Sequence, residues 1–331
     1  MMRHRIIFVI LTLLLIGLLV ADILYGTVSI PFREVIDTFF GASGDATVST
    51  IVDIRFTKAI VAVMAGAALT VSGLQMQTLF RNPLAGPYVL GLSSGASLGV
   101  ALFILGAPYF ALSSTASAIG IAGAAWIGAG AVMVIIAAAS KRIKDIMVIL
   151  ILGIMLSSAI SAVVQILQYL SDEQSLKSYV IWTMGSLGDV TGTELTVMTI
   201  TMTIGLIVGL VAVKPLNVLT FGEDYARSMG INISRSRQLL FLSTSLLAGA
   251  VTAFCGPIGF IGIAVPHVAR TLFSTANHRI LFPAAILLGA DTMLVCDLIS
   301  KPLSLPVNSI TALLGIPIVI WIVLRNKTMN I

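Results

Sequence analysis

The chain is 331 residues long, 58% hydrophobic and only 10% charged, with a mean hydropathy of +1.07. Soluble domains carry about 25% charged residues, so this composition excludes a water-soluble globular protein and implies an all-α, polytopic membrane bundle. The net charge of +5 and pI near 9.4 do not call for nucleic acid, because surplus Lys and Arg in a membrane chain report topology.

Arg3, His4 and Arg5 precede the apolar run Ile6 to Ala21. That pattern fits a signal peptide or a first span. The sequence Val20-Ala21-Asp22-Ile23-Leu24 offers no small-x-small cleavage site, which favours a span. Thr27 to Arg55 is of mixed charge and predicts a short surface helix over about Pro31 to Phe40. Asn82 to Ser140 contains no Asp, Glu, Lys or Arg, and neither does Gln238 to Ala269. Since about 20 apolar residues cross a bilayer, the first of these runs holds two crossings. Ten spans follow, over about 5–26, 56–79, 88–106, 116–139, 146–169, 194–213, 237–255, 258–275, 281–299 and 307–324. Gly256-Pro257-Ile258-Gly259 separates the seventh from the short eighth, which contains Pro266 and His267.

Arg81-Asn82-Pro83 marks the turn between the second and third spans, and Gly86-Pro87 fixes where the third begins. Gly91, Gly95 and Gly99 recur at every fourth position, predicting a smooth stripe for close helix packing. Lys214 to Arg237 is a long polar connection with acids opening a helix at Gly222-Glu223-Asp224. It reads as a docking surface or as a solvated loop. Leu176 to Val190 mixes aromatic and small residues, as a short re-entrant or capping helix would.

Ten spans put both termini on one side. Fourteen of the nineteen Lys and Arg then share that side, and five lie opposite: Arg33, Arg55, Lys58, Lys177 and Lys301. Most acids, including Glu34, Asp37, Asp45, Asp53, Asp172, Glu173 and Asp189, join those five. The positive-inside bias therefore predicts cytoplasmic termini.

Little in the chain suggests an enzyme. Three scattered histidines and two cysteines in apolar surroundings make no metal spacing, and no Gly-Lys pair exists to build a phosphate-cradling loop. ATP-driven work would need a nucleotide site on another subunit. Asp291 is predicted well inside a span, either as a proton or ion relay or as a hydrogen-bonded structural acid. Ser158, Ser161 and Gln165, with Ser157 and Gln168, give the fifth span a polar face that lines a water path or bonds across helices.

The segments RNPLAGPYVLGLSSGASLG, WTMGSL, GEDYARSMGI, GPIGFIGIAVPHVARTL and ITALLGIPIVIWIVLR resemble, in order, the FecCD/BtuC-type permease family. These are membrane subunits of type II ABC importers for vitamin B12, haem and iron–siderophore complexes. The resemblance runs from about Arg55 to Arg325 and implies one transmembrane permease domain, with no cofactor of its own. It also implies a bacterial inner-membrane location and partnership with a second permease copy, two ATPase subunits and an extracytoplasmic binding protein. Gly222, Glu223, Asp224, Arg227 and Gly230 fall in the segment that resembles the family's ATPase-coupling helices. Arg55, Lys58 and Lys301 match basic positions that receive acids of the binding protein in the vitamin B12 permease. Lysine at two of these keeps charge but loses bidentate geometry. The gate of that permease, at the start of its fifth helix, is Thr/Ser-like; Lys144-Asp145-Ile146 departs from that pattern. The cargo stays open among iron chelates, haem, cobalamin and oxyanions, and an ion-coupled carrier using Asp291 is the rival.

Single cysteines labelled in a Cys255- and Cys296-free background check the topology. Probes at Lys141 and Arg227 are expected to react from the same side as one at Arg5, and a probe at Lys177 from the other.

Overall fold

The computed structural model describes residues 2–26, 28, 30–39, 46–106 and 118–328. Thr27, Phe40 and Asp45 of the predicted outer segment, and the first two residues of the predicted fourth span, lie outside the described residues. So do the side chains of Arg325 and Lys327.

The described residues form helices and no strand. In chain order they are α1 (Met2–Leu24), α2 (Phe32–Phe39), α3 (Ala46–Leu79), α4 (Leu92–Ile104), α5 (Ala118–Arg142), α6 (Ile146–Leu170) and α7 (Glu173–Thr183). Then come α8 (Gly192–Val211), α9 (Val213–Leu219), α10 (Glu223–Ser228), α11 (Ile233–Cys255), α12 (Ile261–Phe273), α13 (His278–Leu303) and α14 (Val307–Thr328). Seven of these (α1, α3, α5, α6, α8, α11, α13) are long and apolar enough to cross a membrane, and α4, α12 and α14 are shorter apolar helices. Each of the ten expected spans thus finds its helix.

Lipid offers backbone groups no hydrogen-bond partner, so helix is the form such segments take. Their ends are closed by short polar side chains. Asp145 accepts from Met147 N at 2.8 Å, Asn232 from Arg235 N at 3.0 Å and Asn277 from Arg279 N at 3.0 Å. Asp172 caps α7 by accepting from Ser175 N at 2.9 Å, and the Ser175 N–H holds this exposed carboxyl below its usual range.

Helix α3 is the axis. Ala65 to Phe80 is buried without a break, and a helix buried on every face sits inside the bundle rather than on its rim. It can do so because its neighbours approach at backbone distance. A Cβ on Gly66 would lie 2.1 Å from Gly289 O of α13, and one on Gly73 1.8 Å from Gly262 O of α12. Polar groups within this layer satisfy each other. Gln75 Nε2 donates to Ser243 Oγ at 2.9 Å, Ser243 donates to Gly205 O at 2.8 Å, and Thr244 donates to Gln75 Oε1 at 3.1 Å.

The third span differs from expectation. Its helix runs for 13 residues, about 20 Å, and an irregular segment from Arg81 to Gly91 leads into it. Gly91 caps α4 at φ 83° instead of joining the helical stripe. Gly95 and Gly99 do form a packing face, set against Gly128 and Ala124 of α5. The turns and prolines that make the segment irregular also shorten the helix.

Gly66→Val is expected to lower the melting temperature in detergent, because overpacking a closed interface costs about 1–3 kcal/mol. Gly130→Val, whose added Cβ meets nothing within 4 Å, is expected to leave it unchanged.

Candidate functional site

Three regions carry chemistry. The first is the connection between α8 and α11. Gly222, at φ 108°, ends α9's turn, and Gly230, at φ 77°, closes α10. Between them Glu223 turns inward. Arg237 Nε donates to Glu223 Oε1 at 2.9 Å and Nη2 to Oε2 at 2.7 Å, a fork-on-carboxylate pair. The same guanidinium donates to Ile143 O at 3.1 Å and Lys144 O at 2.6 Å. One side chain therefore ties α10 to α11 and to the α5–α6 link. Glu223 holds α10 in place and Asp224 and Arg227 stay exposed, alongside Phe221 (70% exposed), Tyr225 and Met229 (60%). Those three apolar residues recur every fourth position, and the Phe221 and Tyr225 rings lie 5.4 Å apart. The polar sequence reads as a docking surface or a solvated loop; what faces outward is an apolar strip edged by charge.

The second region, at the opposite end of the bundle, gathers Arg55, Lys58 and Lys301 around a cavity of about 710 Å³. Each is engaged within the chain. Arg55 is buried, and its guanidinium donates to the carbonyls of Ile23 (3.3 Å), Leu24 (3.2 Å) and Val28, covering the open end of α1. Lys301 Nζ sits 2.8 Å from Asp22 Oδ2, 2.6 Å from Asp22 O and 3.2 Å from Asp297 Oδ2. Lys58 Nζ pairs with Asp297 Oδ1 at 2.9 Å. Asp22 and Asp297 are sealed from solvent, while a quarter of the Lys58 side chain is exposed. These two carboxylates escaped the sequence analysis, although the i,i+4 spacing of Asp297 and Lys301 on one helix was a readable signal.

The third is a polar groove between α4 and α6, about 530 Å³ in volume. Ser158, Ser161 and Gln165 line it with Ser157 and with Ser93 and Ser94 of α4. It continues past Ser97, Gln168 and Tyr179. The polar face predicted for the fifth span is thus one wall, and the serines of SSGAS supply the other. Ser157 and Ser158 donate to Gly153 O (2.8 Å) and Ile154 O (3.1 Å), leaving their oxygens turned to the groove as acceptors. Asp145 and Ile146 do not line it. Asp145 is spent as the cap of α6.

Asp291 is buried, and its carboxylate has no hydrogen-bond partner among the described residues. No group of three or more His, Cys, Asp or Glu able to hold a metal occurs among the described residues, and Cys255 and Cys296 are buried free thiols.

Lys301→Met, which strands Asp22 without a cation, is expected to destabilise the protein by about 3–5 kcal/mol. Adding Asp22→Leu should restore most of the melting temperature. Arg237→Met is expected to release α10, seen as faster tryptic cleavage after Arg227 with the helical content retained.

The pattern of the FecCD transport family matches residues 13–325. The chain is 36% identical to the hemin transport system permease protein HmuU of Yersinia pestis, over 96% of this chain and 95% of that one. It is 34% identical to the vitamin B12 import system permease protein BtuC of Klebsiella pneumoniae, over 96% and 93%. A solved structure described as an inward-facing conformation of a metal-chelate type ABC transporter superposes with a TM-score of 0.83 at 30% identity, covering 97% of this chain and 99% of the other. The chain therefore belongs to the FecCD transport family, as a multi-pass membrane protein with the fold of type II ABC importer permeases.

Proposed function

We propose that this chain is the permease subunit of an ATP-driven importer in the bacterial inner membrane, carrying an iron chelate, haem or a cobalamin-type molecule. In this reading the whole chain works as one transmembrane unit, with the 214–237 connection as its handle. Two copies pair, two separate ATPase subunits engage the α10 ends, and a binding protein delivers cargo at the opposite ends. The observation that carries it is α10 itself. A six-residue helix fixed to the bundle by the Glu223–Arg237 fork, yet presenting Tyr225 outward with Phe221 and Met229 flanking it, suits a part that is pushed from outside and passes the push inward. Exposed apolar strips of this kind mark protein contacts. Asp224 and Arg227 supply the polar rim of a reversible interface.

The α4–α6 groove is the proposed path. Uncharged hydroxyl and amide groups give a large polar cargo weak, exchangeable contacts, so that it leaves as readily as it enters. The exposed α6 side chains around it, such as Met155 (65%) and Ile166 (60%), form the face proposed for the second copy. At the opposite end, Lys58 is the cation proposed to meet an acid of the binding protein, because it alone of the three is substantially exposed. Haem and vitamin B12 appear in the names of the relatives, which supports this cargo class. The ion-coupled reading of Asp291 gains no such support.

Proteoliposomes test the proposal. With the ATPase and a loaded binding protein, uptake is expected to require ATP and to ignore proton or sodium gradients. Phe221→Asp should abolish uptake while the protein still folds, and Asp291→Asn should retain ATP-driven uptake. Gradient-driven uptake by the chain alone would overturn the proposal.

A further inference from the structure

Beside α10, on its α9 and α13 side, lies a groove of about 440 Å³ that shares Phe221 with the strip proposed to meet the ATPase but whose two cations, Lys214 and Arg279, the transport reading gives no partner. Lys214, Asn217, Thr220, Phe221, Asn277 and Arg279 line it. No acid is among the residues around it, and neither Lys214 nor Arg279 has an ion-pair partner among the described residues. Its floor is fixed before anything binds. Asn217 Oδ1 accepts from His278 N at 2.7 Å and lies 3.0 Å from His278 Nδ1, and Asn217 Nδ2 donates to Asn277 Oδ1 at 3.3 Å. His278 Nε2 in turn sits 2.8 Å from Thr78 Oγ1 of α3. The two amides are thereby locked to the bundle axis, and the two cations remain free above them.

The position of the groove identifies its ligand. Lys214 comes three residues after the last residue of α8, and Arg279 is the second residue of α13. Both helices are long enough to span, so both cations sit at the level where lipid headgroups lie. The exposed face of α8 runs Ile200 (57%), Ile204, Ile207 and Val211 (63%), at helical spacing, and it ends three residues before Lys214, at the start of α9. An apolar track for an acyl chain therefore leads toward Lys214, one of the two unpaired cations of the groove. We propose that this groove binds the phosphate headgroup of an anionic phospholipid, with Lys214 and Arg279 as its ligands and the α8 stripe under its chains. Basic pockets between membrane helices recognise such headgroups by the same chemistry. A free phosphate would use the cations but not the stripe, and an acidic partner protein would have no use for apolar residues at acyl-chain depth.

The test is native mass spectrometry of the purified protein released from nanodiscs of mixed phosphatidylglycerol and phosphatidylcholine. The wild type is expected to retain phosphatidylglycerol selectively. Lys214→Gln and Arg279→Gln should each cut that retention about fivefold, and the double variant about 25-fold, without changing the melting temperature. Lys177→Gln, at the other end of the bundle, serves as the control and should match the wild type. Ile207→Ser, which spoils the track and spares the cations, should also weaken retention. Equal retention by the double variant would overturn the proposal. Displacement of the lipid by millimolar inorganic phosphate would reassign the groove to a free anion. Loss of the lipid on adding the ATPase would reassign it to the protein interface.

Discussion

The burial of α3 on all sides from Ala65 to Leu79 is the constraint on which the rest of this structure depends. In lipid, apolar side chains gain nothing by leaving their surroundings for one another, so helix association rests on close packing and internal hydrogen bonds. Gly66 and Gly73 let α13 and α12 come to backbone distance on two parts of α3. Gln75, with Ser243 and Thr244, secures α11 by hydrogen bonds. Once α3 is enclosed in this way, its two ends become fixed points. Toward one end, Arg55 covers the open end of α1 and Lys58 joins the charge cluster; at the other, Gln77 and Thr78 receive Arg270 at 2.6 and 3.2 Å, and Thr78 meets His278.

The two ends use charge differently. The cluster of Asp22, Lys58, Asp297 and Lys301 is neutral in sum and largely sealed, so its members are held by one another. Leaving any one carboxylate alone there would expose the full cost of a desolvated charge. Lys58 alone has a share in solvent, which makes it the member able to exchange its partner. At the α10 end, a single buried arginine does the work of the cluster, serving a carboxylate and two carbonyls together. Lys214 and Arg279 there remain open. For the proposed coupling role, a rigid joint beneath a free surface is the arrangement a handle would need, and Arg237 supplies the joint by linking α10 to α11 and to the α5–α6 connection.

Much of this was legible in the sequence. Charge-free runs gave the spans, because a bilayer demands length and apolarity and little else. The start of α10 was readable from the acids at Gly222-Glu223-Asp224, and the polar face of α6 from serines and a glutamine at helical spacing. These are local signals, carried by residues within one or two turns of each other. The resemblance to a family of permeases rested on ordered motifs over most of the chain.

Contacts between distant segments were not legible. Nothing near Lys301 in the sequence announces Asp22, 279 positions away, and nothing in GEDYARSMGI says that Glu223 faces inward to Arg237 while Phe221 and Met229 face out. The second wall of the groove, from Ser93 to Ser97, read as packing glycines with serines between them until α4 was set beside α6. Sequence by itself determined what each segment is, since that depends on periodicity and on the lipid solvent. The tertiary structure alone decided which polar groups are spent on each other and which stay available, since that depends on which helices meet.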